Sequence, residues 1–116
     1  DIMSKIIYIA NPYSDKDDEV VEKRYEDTAK YTAKLVAEGH VAFSPIVYGH
    51  TLLNYATMPS DWEFWQNFCN SFLLKSDELH VYMLDGWDDS IGVKAEIELA
   101  KKHDMPVKYI DCSGLT

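Results

Sequence analysis

Residues 78–102, ELHVYMLDGWDDSIGVKAEIELAKK, change character twice within one short stretch. Glu78–Leu84 reads as a largely apolar strand. Asp85–Asp89 is a polar turn, and Ser90 stands at the N-cap position of a helix reading from Ile91 to about Lys102. A strand that passes through a polar loop into a helix is half of a β-α-β unit, the building block of helix-covered parallel sheets.

The same alternation extends outward. Lys5–Ala10 (KIIYIA) is a second short apolar run, followed by the polar loop NPYSDKDD. Glu19 to about Glu38 reads as a helix, with Val20, Arg24, Ala29, Ala33, Leu35 and Val36 mixing apolar helical spacing with polar faces, and Gly39 as its stop. His40–Ser44 is a brief strand ended by Pro45, and residues 46–59 are the least regular segment. Ser60 with Glu63 forms a capping box ahead of Trp62, Trp65, Phe68, Cys69 and Phe72 at helical spacing. Pro106–Ile110 is the last strand, followed by a short tail. This order predicts a three-layer Rossmann-like (flavodoxin-like) α/β domain over residues 1–116, with an open, mostly parallel sheet. Ligands of such sheets sit beyond the carboxyl ends of the strands, here the loops Asn11–Asp18, Pro45–Pro59 and Asp85–Ser90.

The 116 residues suit one domain with one core. Eleven Lys and Arg against 20 Asp and Glu give a formal charge of −9, which leaves no basic field for a nucleic-acid polymer. A single nucleotide is compatible with it, because helix N-termini supply local positive potential. Cys69 and Cys112 form no CxxC pair, so neither a zinc site nor a redox motif is indicated. No apolar stretch reaches membrane-span length and no leader-like segment is evident, so the expected compartment is reducing and cytoplasmic.

The candidate chemistry gathers at the predicted crevice. Gly92, in the first turn of its helix, would let a ligand approach free backbone N–H groups, and Glu96 lies one turn behind it on the same face. Ser90 offers a hydroxyl there, and Asp89 precedes it. The plainer alternative makes Glu96 and Glu98 solvated helix residues and Ser90 only a cap. Asn11, Tyr13 and Ser14 bring amide and hydroxyl groups to the end of the first strand, or make an ordinary turn. No glycine-rich phosphate loop is present. His50, Tyr48 and Trp87 offer rings to stack on a base, whereas Trp62 and Trp65 read as core or subunit-interface residues. His80, inside a strand, reads as a core histidine with satisfied hydrogen bonds. Asp77 precedes the third strand, at the end away from the crevice, and reads as a turn residue.

As an ordered set, YIANPYS, the helix with Arg24, VAFSPI, SDELHVYMLDGWDDSIGVKAEIELA and MPVKYI resemble the nucleoside 2-deoxyribosyltransferase superfamily over nearly the whole chain. The outline is nearest to its small phage and bacterial members and to the 2'-deoxynucleoside 5'-phosphate N-hydrolases. The resemblance implies that Glu96 is the nucleophile and Gly92 its companion four residues earlier. It implies that Ser90 contacts a 5'-phosphate, that Asp77 handles the base and that Tyr13 orients the nucleophile. Ser113 matches a residue supplied from a neighbouring subunit, which implies a homodimer or higher homo-oligomer. The loop after the first strand departs from the hydrolases, having NPYS and acidic residues where they have glycine and arginine. Phosphate would then rest on helix N-termini, Ser90 and Ser14.

The implied activity is N-glycosidic cleavage of a (deoxy)nucleoside 5'-monophosphate with release of free base, without metal or cofactor. The alternatives are base exchange by a transferase, a non-catalytic nucleotide or ADP-ribose binding module, and an interaction protein docking through Trp62–Phe72.

Overall fold

The computed structural model describes residues 4–113, so the ends of the predicted 1–116 domain, residues 1–3 and 114–116, lie outside the described residues. The chain runs β1 (Ile6–Ala10), α1 (Asp18–Ala37), β2 (Val41–Phe43), α2 (Pro45–Leu52), α3 (Trp62–Leu73), β3 (Glu78–Tyr82), α4 (Ile91–Lys102) and β4 (Val107–Ile110). A 3₁₀ turn, Trp87–Asp89, separates β3 from α4. The sheet order is β2-β1-β3-β4 and every pairing is parallel. This is the expected Rossmann-like α/β domain with helices on both faces.

Strand alternation divides the core into two layers. Ile7 and Ile9 of β1 and Tyr82 of β3 meet Tyr31 and Leu35 of α1 on one face. Tyr8, Ala10, Leu79 and Val81 meet Cys69 and Leu73 of α3 and Val93 and Ala100 of α4 on the other. The chain leaves β1 for β2 on one side and returns to β3 on the other. The loops after β1 and β3 therefore part, and a crevice opens at the carboxyl ends of these central strands.

The segment expected to be irregular contains α2. Pro45, read as a strand stop, also occupies the first turn of that helix, and Ser44 Oγ accepts a hydrogen bond from Val47 N at 3.1 Å. Proline suits that position because its missing N–H would be unpaired there anyway. Before α3 the cap is Asp61, whose carboxylate accepts from Phe64 N at 3.2 Å, rather than Ser60. The other boundaries fall within a few residues of expectation, and Gly39 follows α1 with φ +96°. His80 is buried and satisfied by Tyr31 Oη at 2.9 Å and Glu78 Oε1 at 2.8 Å. Among the described residues, no helix is long and apolar enough to cross a membrane.

Candidate active site

A pocket of about 560 Å³ lies at the crevice between β1 and β3, within the usual size range of small-molecule sites. All three loops predicted to line a ligand site contribute to it, together with the start of α3 and the first two turns of α4. Glu96 reaches it from α4 with 4% of its surface exposed. Strand alternation turns Tyr8 toward the same helix, and the Tyr8 hydroxyl donates a hydrogen bond to Glu96 Oε2. Burial pushes the Glu96 carboxyl up to about 8, and the Tyr8 hydrogen bond opposes part of that rise. Cys69 is also driven up, to about 12, by burial and the Glu96 charge. A buried thiol in that state is inert.

Tyr8 therefore holds the place at Glu96 that the resemblance implied for Tyr13. A tyrosine inside the apolar run KIIYIA looks like plain core. It shares a strand face with Ala10, and the packing of β1 against α4 brings its hydroxyl to Glu96. Replacing Tyr8 with Phe removes the hydrogen bond that favours the ionised carboxylate. The pH midpoint for ionisation of Glu96 is expected to rise by about one unit. NMR titration of the Glu96 carboxyl in both proteins reads this shift.

Tyr13 lines the pocket elsewhere, with its hydroxyl 2.8 Å from His50 Nδ1. His50 stacks on Tyr25 with ring centroids 3.9 Å apart, and its Nε2 is 3.3 Å from Glu22 Oε1. Burial and the Glu22 charge raise the Tyr13 phenol above its ordinary value. Asn11 is buried at the pocket, donating to Pro12 O at 2.9 Å, and its Oδ1 has no partner among the described residues. Ser14, Asp89, Ser90 and Gly92 also line the pocket. Ser90 is the N-cap of α4 and accepts from Val93 N at 3.2 Å.

Gly92 serves a close approach of a different kind from that expected. A Cβ there would lie 3.1 Å from the Trp62 ring, and one at Gly49 would lie 3.3 Å from the Trp65 ring. Each glycine thus seats a tryptophan, and both rings line the pocket rather than standing wholly in the core. Arg24 is a further pocket residue that sequence reasoning left without a role. Its guanidinium donates to Tyr13 O, Ser14 O and Asp85 O at 3.3, 2.9 and 3.0 Å, tying the loop after β1 to the loop after β3.

Four predicted residues stand apart from this pocket. Tyr48 stacks on Phe68, with ring centroids 5.7 Å apart. Asp77 precedes β3 at its amino end, five residues from Tyr82 and so roughly 16 Å along the strand from the crevice end. Its Oδ2 accepts from Ile6 N at 2.7 Å, and its own N–H donates to Ile6 O at 2.8 Å. This is the helix-to-strand turn of the residue-level reading, and the base-handling role implied by resemblance does not fit that place. Asp77→Asn is expected to cost about 1 kcal/mol of stability, read by urea unfolding. Trp87 meets Tyr109 in an edge-to-face contact with ring centroids 5.7 Å apart and packs against the core, so it is not placed to stack on a base. Ser113 lies beyond β4, where its N–H and hydroxyl donate to Asp111 at 3.0 and 2.9 Å.

No curated protein matches the chain. Residues 5–111, all of the described strands and helices, match the family described as a domain of unknown function (DUF1937), and the chain belongs to that family.

Proposed function

We propose that the protein cleaves the N-glycosidic bond of a (deoxy)nucleoside 5'-monophosphate through Glu96 and releases the free base. The observation that carries this reading is a buried carboxyl, hydrogen-bonded by Tyr8, in a pocket at the point where the strand order reverses. The ordered resemblance to the nucleoside 2-deoxyribosyltransferase superfamily supports it. The ionised Glu96 oxygen attacks the anomeric carbon as the carbon–nitrogen bond breaks through an oxocarbenium-like transition state. The bond's electron pair leaves with the base. Water then hydrolyses the glycosyl ester, returning the Glu96 carboxylate, a proton and the sugar phosphate. With its carboxyl at about 8, roughly one Glu96 in ten is ionised at pH 7, and turnover rises with pH up to that value.

Trp62 and Trp65 supply faces for a base. Arg24, Ser14, Ser90 and the amino end of α4 supply the groups for a phosphate. The test is free-base release from a panel of 2'-deoxynucleoside and nucleoside 5'-monophosphates and the matching nucleosides. Release confined to the monophosphates establishes the reading, and faster exchange into an added second base marks a transferase.

One observation favours a second reading. A Glu96 carboxyl that is mostly protonated at neutral pH is also a hydrogen-bond donor suited to holding a ligand without reacting. A non-catalytic nucleotide or ADP-ribose binding module would show saturable binding with no product from any substrate.

A further inference from the structure

A second chain of polar groups faces the pocket, independent of the Tyr8–Glu96 pair. Glu22 of α1, His50 of α2 and Tyr13 of the loop after β1 are linked end to end, Glu22 Oε1 to His50 Nε2 at 3.3 Å and His50 Nδ1 to Tyr13 Oη at 2.8 Å. The Tyr25 ring, stacked on the imidazole at an interplanar angle of 21°, fixes its plane. Tyr13 and His50 both line the pocket, whereas Glu22 stands behind them with half of its side chain in solvent. Three residues from three separate segments are thus aligned, with the phenol at the end of the chain.

We infer that Tyr13 is the general acid that protonates the departing base, and that His50 and Glu22 are the positioning residues that resupply its proton. The inference rests on the reading of Glu96 as nucleophile, since a leaving group needs a proton only if the glycosidic bond is broken here. Glu96 enters from α4, and Tyr13 and His50 from the β1 loop and α2. A nucleoside lodged between them meets a carboxylate from one wall and a phenol from another. The role requires His50 in its doubly protonated form, with Nε2–H on the Glu22 carboxylate and Nδ1–H on the Tyr13 oxygen, so that the phenolic hydrogen turns toward the ligand.

As the carbon–nitrogen bond breaks, its electron pair passes to the base and the Tyr13 O–H proton moves to a ring nitrogen of that base. The phenolate left behind takes the Nδ1 proton of His50. Hydrolysis of the Glu96 ester by water later yields one proton, which returns to His50 and restores the starting state. Burial and the neighbouring Glu22 charge hold the phenol above its ordinary value, so Tyr13 keeps its proton until negative charge develops on the departing base.

The test compares two leaving groups. Deoxyguanosine 5'-monophosphate needs a proton on its departing base. Its N7-methyl derivative carries a cationic base that leaves neutral without one. Tyr13→Phe is expected to lower kcat/KM about 100-fold on the first substrate and less than about threefold on the second. His50→Gln is expected to show the same selectivity at about tenfold, because it keeps the side chain's bulk while breaking proton resupply. Circular dichroism confirms that both variants fold. Equal losses on the two substrates, with the wild type active, overturn the general-acid role and leave the Glu96 reading intact. No release from either substrate by the wild type overturns both readings together.

Discussion

Glu96→Gln is expected to lower free-base release by on the order of 10³-fold while ligand binding stays within a few-fold. The substitution is close to isosteric, and the amide oxygen still accepts the hydrogen bond that Tyr8 donates to Glu96. What disappears is the capacity to form an ester at the anomeric carbon. Residual turnover would come from the shape of the pocket and its orienting groups, which the substitution leaves in place. Parallel measurement of base release and of nucleotide affinity by calorimetry separates the two quantities. A loss shared equally by binding and turnover would instead mark Glu96 as a binding residue.

The same substitution is expected to make the protein more stable in mildly alkaline solution. Burial holds the folded-state carboxyl at about 8, against an ordinary value of 4.5. A group raised in this way contributes stability that is fully present below 4.5 and is lost as pH rises through about 8. The loss is on the order of 5 kcal/mol over that window, a large share of the stability of a domain this size. Glu96→Gln has no carboxyl to ionise and escapes it. Urea unfolding at pH 5 and pH 8.5 is expected to show the wild type weakening between the two, with the variant losing several kcal/mol less. Parallel behaviour of the two proteins would mean that Glu96 does not titrate within the window.

The architecture was legible because each apolar run was short and followed by a polar turn. Ile6–Ala10 and Glu78–Tyr82 are both central strands; the unbroken apolar run of the first reports cover on both faces, while Glu78 and His80 interrupt the second and pair with each other. Ser90 read as the cap of α4 because a hydroxyl ahead of an apolar-periodic stretch has a defined partner, Val93 N. By contrast, α2 was hidden. Its eight residues include Pro45 and Gly49, and both read locally as breakers. Tertiary packing reverses that reading, since Trp65 fills the space that Gly49 leaves.

The site was legible in position more than in partnership. Spacing placed Glu96 behind Gly92 on α4, and the pocket lies there. That Tyr8 rather than Tyr13 would hold Glu96 depends on the facing of β1 against α4, which no local pattern encodes. Arg24, Trp62 and Trp65 reach the pocket only through the packing of α1 and α3 around the reversal of strand order. Asp77 marks the limit of resemblance. A position matched along the sequence lies at the far end of its strand, bound to Ile6 N.

The most direct test of the account is to trap the glycosyl-enzyme ester. A 2'-deoxy-2'-fluoro-arabinonucleoside 5'-monophosphate carries an electron-withdrawing fluorine that destabilises the oxocarbenium-like transition states and slows hydrolysis of the ester, so that the intermediate accumulates. Mass spectrometry of the protein after incubation, followed by peptide mapping, reads the adduct and its location. The account predicts one added fluoro-sugar phosphate on the peptide bearing Glu96, absent in Glu96→Gln. An adduct on another residue, or steady release of base from natural substrate by Glu96→Gln, would contradict it.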